Sequence, residues 1–233
     1  TLRNIKTHKL LMLSEGRRSD LFYKVGFDYN YGFRFFDKLK DIYNHNHTVH
    51  SIDSLNVIDY EGAADGQRII RYTSNHDVNG SDGTPLELFG GEKGAMAAFV
   101  VAAYMKSIPM VYNGQEVGTP YRLTFPFTSK KIDWTINPTI TAEYKKVIAF
   151  RNSSNAIRRG NLISYSTDDV CAFTKRLGKE SVLVICNLRN KPVDYTLPST
   201  LKNSRWKDAM KGGTIDLQGG ISLAPYSYVV FKK

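Results

Sequence analysis

The sequence predicts an α/β region followed by an antiparallel β domain, and three observations carry that reading. Up to about residue 160, short apolar runs of strand character alternate with stretches of helical periodicity. Beyond it the texture becomes strand, turn, strand, turn, with apolar and polar residues alternating at period two. The charge balance shifts at nearly the same place: residues 1–144 carry 16 Lys/Arg and 16 Asp/Glu, whereas residues 145–233 carry 16 and 6. With 42% hydrophobic residues, a chain of 233 has material for one large or two ordinary packed domains, and we place them at 1–160 and 161–233.

In chain order, KLLMLS (Lys9 to Ser14) is a continuous apolar run, the pattern of a strand covered on both faces. YKVGFDYNYG (Tyr23 to Gly32) reads as a second strand with its exit loop. FRFFDKLKDIYN places Phe33, Phe36, Leu39 and Ile42 at helical spacing. RIIRYTS is a third strand, and GEKGAMAAFVVAAYMKS a buried helix rich in small apolar residues. IPMVYNGQ is a fourth strand, with Pro109 at its start, where a missing N–H does little harm. TAEYKKVIAFRNSSNAIRRG reads as one amphipathic helix stopped by Gly160. Strands separated by helices imply parallel pairing, and four such units, each strand ending in polar residues, look like part of a β/α barrel.

The β domain spans about 70 residues and closes with SYVVFKK. If Gly178-Lys179 forms a two-residue hairpin loop, Cys171 falls opposite Cys186. Two buried thiols behaving as small hydrophobes is one reading; a strained cross-strand disulfide is the other. Trp206 and Tyr226 fit either core packing or stacking on sugar.

Several classes are excluded. The longest apolar run, Ala95 to Met105, is too short to cross a bilayer, so no membrane partner is expected. Two cysteines build neither a disulfide scaffold nor a zinc site. The formal charge of +10 comes entirely from residues 145–233, where the bases are scattered without any nucleic-acid-binding signature, so a solvated surface is expected and no nucleic acid partner. His45, His47 and His50 lie in a polar stretch without carboxylate support and are read as surface; no metal ligands are assigned.

Chemistry concentrates at strand ends. The first strand runs into Glu15 and the third into Asn75-His76-Asp77. Cleavage of a glycosidic bond needs two carboxyl groups converging on it, one to protonate the leaving oxygen and one to attack or stabilise the cation. A protonated acid at neutral pH further needs apolar walls or a neighbouring carboxylate. Singly, Glu15 also fits a first-turn glutamate and Asp77 a turn; Arg17 and Arg18 are left unassigned.

The ordered set LLMLSEG, GFDYNYG, YTSNHD, IPMVYNGQEVG and KIDW resembles the carboxyl-terminal half of the α-amylase family of glycoside hydrolases, family 13, whose barrel is also followed by a β-sandwich. The specific part is the Asn-His-Asp triplet followed about 30 residues later by Pro-x-x-Tyr-x-Gly-x-Glu. The resemblance implies that residues 1–160 are the second half of a TIM-type barrel, strands five to eight, ahead of a sandwich at 161–233. It implies Glu15 as general acid/base, Asp77 as the carboxylate that grips sugar hydroxyls and stabilises the transition state, and His76 as a hydrogen-bond donor to the sugar. Asn75 is expected to buttress the turn, and Gln115 and Glu116 to satisfy backbone groups. The implied partner is an α-glucan or maltooligosaccharide. No cofactor is implied in this chain; calcium belongs to an inserted domain of such enzymes that these residues do not include.

The chain lacks the Asp-x-x-x-Asn-His motif of strand three and the inserted second domain of the family, and it departs from the family decisively in one further respect. The family's nucleophile is an aspartate in an Arg-x-Asp motif ahead of the general acid, whereas the 14 residues before Glu15 contain no Asp. The chain is therefore expected to be a fragment of a longer retaining glycosidase, inactive alone, with open barrel edges covered by another chain or by the N-terminal half. A non-catalytic carbohydrate-binding or interaction module of the same architecture is the alternative. Glucan-degrading members are often exported, which points to an extracytoplasmic location.

Overall fold

Four parallel strands form a sheet in chain order: β1 (Leu13–Ser14), β2 (Tyr29–Tyr31), β3 (Arg68–Arg71) and β4 (Ile108–Pro109). The structure, a computed structural model, describes residues 4, 10–17, 19–123 and 130–233. Registers are set by Ser14 opposite Asn30, Asn30 opposite Ile69, and Ile70 opposite Ile108. Between the strands lie α1 (Asp20–Lys24), α2 (Phe33–Asn44), α3 (His50–Asp59), the single turns α4 (Val78–Ser81) and α5 (Pro85–Leu88), and α6 (Gly91–Tyr104). Helices α7 (Pro138–Ser153) and α8 (Asn155–Arg159) follow β4.

Helix α2 buries Phe35, Phe36, Leu39 and Ile42, one stripe of a 3.6-residue period. It begins at Gly32, where a Cβ would stand 2.4 Å from the carbonyl oxygen of Ile70, so only glycine lets the helix start this close to β3. Helix α6 is buried from Gly94 to Tyr104 on every side, because it packs both under the parallel sheet's helices and against the β region.

The elements differ from the sequence expectation in four places. The first strand is only Leu13–Ser14, and Leu11 and Leu13 are 66% and 42% exposed: β1 is an edge with one covered face, and Lys9 lies outside the described residues. Tyr23 and Lys24 are helical, since Ser19 caps α1 by accepting from the Leu21 amide and Gly26 ends the turn at φ 94°. Residues 50–59 form a helix, α3, in a segment whose polar start carries no helical signal. The stretch from Thr141 to Arg159 is two helices rather than one: Ser154 adopts φ −92°, ψ 116°, and its hydroxyl accepts from the Ile157 amide, restarting the helix.

From Asn161 the chain forms eight antiparallel strands: β5 (Asn161–Ser164), β6 (Val170–Leu177), β7 (Glu180–Asn187), β8 (Val193–Thr196), β9 (Ser204–Asp208), β10 (Thr214–Leu217), β11 (Gly220–Leu223) and β12 (Tyr228–Lys232). A six-stranded sheet, ordered β10-β9-β12-β7-β6-β5, faces a β11-β8 pair. The period-two alternation expected throughout holds for β8 to β11 but fails in the centre, where β6 is buried from Val170 to Lys175. The sheet is covered on both faces. Val170, Ala172, Leu183 and Ile185 join Trp206 and Phe231 in one core, while Cys171, Phe173, Val182 and Val184 join α6 and α7 in the other. Cys171 stands opposite Cys186, as the two-residue hairpin requires, and both are free buried thiols. Arg189 stitches the regions: its guanidinium donates to the carbonyls of Ile42, His47 (2.6 Å) and Asp168 (2.8 Å) and pairs with Asp169 at 2.9 Å.

Candidate active site at the ends of the parallel strands

The segment after β3 is built to hold its last residues still. Tyr72, Thr73, Ser74 and Asn75 are fully buried, so His76 and Asp77 are the first of the run to reach solvent. Asn75 Oδ1 accepts from the amides of Asp77 (2.9 Å) and Val78 (2.8 Å), an Asx turn that starts α4 and fixes the direction of Asp77. Asn79 Nδ2 donates to Ser74 Oγ at 3.1 Å, and Gln115 Nε2 donates to Thr73 Oγ1 at 2.8 Å and to the Tyr144 hydroxyl at 3.0 Å. On the neighbouring side, Ser14 Oγ donates to Asn30 Oδ1, joining the ends of β1 and β2 immediately before Glu15.

These supports bring three expected residues together. His76 Nε2 lies 3.3 Å from Glu15 Oε1 and 3.4 Å from Asp77 Oδ1, and the nearest nitrogen and oxygen atoms of the three all lie within 4.8 Å of one another. Both carboxylates face the same ring nitrogen, so a single Nε2–H is shared between them or given to one. One nitrogen and two carboxylate oxygens converge on a spot the size of one sugar ring. The same mixed donor set has the composition of a divalent-cation site. Two phenols flank it. Burial, with the charges of Glu15 and Asp77 adding, pushes Tyr31 up to about 12, and burial followed by Asp77 raises Tyr112. Neither was singled out in the sequence, although each sits inside a quoted motif, GFDYNYG or IPMVYNGQEVG.

Other expectations are corrected. Among the described residues no apolar wall closes over Glu15, whose side chain is 51% exposed, with His76 and Asp77 at 43% and 66%. A cavity of about 970 Å³ lies elsewhere in the molecule. Gln115 Oε1 accepts from the Tyr112 amide at 3.3 Å, as expected of a backbone buttress, but Glu116 Oε2 is buried without a hydrogen-bond partner among the described residues. Arg17 lines a small hollow of about 210 Å³ with Tyr31 and Asp37; Arg18 lies outside the described residues. Two of the three histidines do have carboxylate neighbours, His47 with Asp41 at 3.9 Å and His50 with Asp53 at 3.7 Å, the acids coming from α2 and α3. Trp206 is a core residue, and Tyr226 stacks on Tyr43 with ring centroids 5.4 Å apart.

Residues 161–230 match the family described as "Maltogenic Amylase, C-terminal domain". "Alpha-amylase 2" of Dictyoglomus thermophilum is 25% identical over 166 residues, covering 64% of this chain and 28% of its own. "Cyclomaltodextrinase" of Geobacillus thermopakistaniensis is 25% identical over 164 residues, covering 65% and 28%. The crystal structure of an Anoxybacillus α-amylase superposes on 96% of this chain and 51% of its own with a TM-score of 0.81 at 16% identity. Residues 161–230 thus match a maltogenic-amylase C-terminal domain, and the chain as a whole is similar in fold to about half of a solved α-amylase. It spans about half the length of that solved amylase, and its matches cover 28% of each curated relative. The family match falls on the β region, while the acid cluster lies in the α/β region ahead of it.

Proposed function

We propose that Glu15, His76 and Asp77 are part of the sugar-cleaving site of an α-glucan-acting retaining glycosidase, and that residues 1–160 supply the second half of its β/α barrel, strands five to eight. The observation that carries this reading is the convergence of two carboxylates on one histidine nitrogen, at 3.3 and 3.4 Å, beyond the carboxyl ends of parallel strands. In this reading Glu15 protonates the glycosidic oxygen of the leaving sugar and later takes a proton from the incoming water. Asp77 holds the hydroxyls of the reacting sugar as positive charge develops on its ring, and His76 donates a hydrogen bond to the same sugar. The covalent step needs a third carboxylate about 5–5.5 Å from Glu15. The family places it ahead of the general acid, and no Asp stands among the 14 residues before Glu15. The missing wall over Glu15 then comes from the same source as the nucleophile. The names of the relatives, "Alpha-amylase 2" and "Cyclomaltodextrinase", support an α-glucan as the substrate class.

The test uses the longer protein encoded with its upstream sequence, alongside the 233-residue chain. Glu15→Gln is expected to lower kcat on a maltooligosaccharide by about 10²- to 10⁴-fold, the range general acid–base catalysis supplies. The isolated chain is expected to show no turnover. Activity unchanged in Glu15→Gln, or measurable hydrolysis by the 233 residues alone, sinks the assignment; glucan binding without turnover in the longer protein would favour a non-catalytic module.

A further inference from the structure

At the opposite end of the parallel sheet from Glu15, where β3 and β4 begin, lies an open cavity of about 970 Å³ bordered by α3, α8, β5 and β6. Five basic side chains line it: Arg68, Lys106, Arg158, Arg159 and Lys175. In the sequence these bases are dispersed, and two of them come from the balanced half of the chain; only the fold gathers them. Among the described residues none of the five is in an ion pair. Neutral groups position the outer ones: Arg68 Nη1 donates to the Gln67 carbonyl at 2.7 Å, Arg158 Nη2 to Asn155 Oδ1 at 2.7 Å, and Lys106 Nζ sits 4.0 Å from the centroid of the Tyr60 ring. Three acids share the lining. Asp53 is engaged with Ser166 Oγ at 3.2 Å and His50 at 3.7 Å, Glu61 has a partner of its own, and Asp65 is exposed at the rim.

Lys175 is the decisive member. It projects from β6 into the lining at 2% exposure, with no side-chain hydrogen bond or ion pair among the described residues. An ammonium kept from most of its hydration without a hydrogen-bond partner is costly, and here the neighbouring charges deepen the cost. Burial, followed by Arg68, Lys106, Arg151 and Arg71, pushes its pKa down to about 7. Such convergence of unpaired cations on a roomy cavity is relieved by one kind of occupant. We propose that this cavity binds a small phosphate-bearing molecule, with Lys175 as its floor, Arg68 and Lys106 as its sides and Arg158-Arg159 at its mouth. Guanidinium forks match a phosphate's oxygens two at a time, and a doubly charged group answers several cations at once. Acids at the rim repel a long polyanion, which disfavours nucleic acid. The proposal is independent of the sugar-cleaving assignment, since no residue is shared between the two sites.

The experiment is thermal unfolding and calorimetric titration of the protein with inorganic phosphate, and with glycerol 3-phosphate, against chloride at equal ionic strength and pH 6.5, where Lys175 is charged. One saturable site per chain and a midpoint that climbs with ligand concentration are expected. Lys175→Met and Arg68→Gln should each weaken binding by about tenfold or more, the loss expected for one charge-assisted contact. Lys175→Met removes a buried charge, so its unliganded midpoint should equal or exceed the parent's, which separates loss of binding from loss of fold. A stronger response to the ester than to free phosphate identifies the occupant as a phosphate monoester, and the reverse as free phosphate; both support the site. Responses no larger than with chloride, responses identical in parent and both variants, or tighter binding of a random DNA oligonucleotide than of either phosphate would overturn it.

Discussion

Strands β6 and β1 are both written in apolar residues, yet one is sealed and the other open. From Val170 to Phe173 every side chain of β6 is fully buried, as are Val182 to Cys186 of its partner β7. Around β1 the comparable run leaves Leu11 66% and Leu13 42% exposed, and the adjoining helix leaves Leu21 and Val25 at 60% and 63%. Composition does not separate them; position in the layers does. Strand β6 has strands on both sides, the β8–β11 pair below and helices α6 to α8 above. Strand β1 pairs with β2 alone among the described residues. The helices of the α/β region thus cover the β region and their own sheet, while the edge strands β1 and β4 each keep a single strand neighbour among the described residues, and at β1 the leucines are exposed.

If that contrast is right, the sealed interface should hold the two regions in one cooperative unit. Phe173 lies in the shared core with Phe99 and Val147. Phe173→Ala is expected to cost about 3–5 kcal/mol, the range for removing a buried aromatic ring. Urea unfolding followed by far-ultraviolet circular dichroism, which reports chiefly the helices, and by near-ultraviolet signals of the β core should give one coincident transition in parent and variant. Two separated transitions would break the comparison, because the regions would then be stable independently of their common core.

What could be read in advance follows the same divide. The hairpin of β6 and β7 was legible to the residue, because a two-residue glycine turn fixes register and Cys171 then has to face Cys186. The stacking of strands with helices and the polar strand ends at Glu15 and Asp77 were legible because parallel-sheet patterning is local. The break at Ser154 was not: the apolar spacing continues across it, and a hydroxyl that turns back onto the Ile157 amide leaves no mark on periodicity. Nor was the anion pocket, whose bases lie at positions 68, 106, 158, 159 and 175 and meet only in three dimensions. Glu116 looked like a backbone buttress from its loop, and its unpartnered Oε2 shows that proximity in sequence does not deliver a hydrogen bond.

Lys175 sharpens the comparison from inside the sealed half. Its pKa near 7 lies below the ordinary lysine value of about 10.4, so between those limits the unfolded chain carries a proton that the folded chain has released. Unfolding then takes up protons, and stability rises with pH through that window; below about pH 7 both states are charged and the full cost of the buried ammonium is present. The slope has a ceiling of ~1.4 kcal/mol per pH unit for a single group. Lys175→Met should flatten the difference between pH 7 and 9 in urea titrations and be the more stable protein at pH 6. The raised tyrosines and thiols titrate in parent and variant alike, so the difference between the two curves isolates Lys175. Parallel curves would show that Lys175 has a water or charge partner in solution, and the β region would be less sealed than described.

The smallest effects belong to the open edge, and there a near-zero result is the informative one. Leu11 and Leu13 gain little from folding if their exposed face meets only water, so Leu11→Lys and Leu13→Lys should each change stability by about 0.5 kcal/mol or less. The same faces are adhesive: an apolar strand edge with one free side is a template for association, and a lysine placed on it is a natural deterrent. The parent chain should therefore associate with rising concentration in sedimentation velocity, and the double variant should sediment as a monomer. A cost above about 1–2 kcal/mol in either single variant would mean that the β1 face is already buried in solution, by residues 1–9 or by a second copy, and the contrast with β6 would disappear. A parent that stays monomeric at high concentration with both leucines intact would instead show that an uncovered edge is tolerated here, which removes the need for a covering partner and leaves the exposed acid cluster as the resting form of the site.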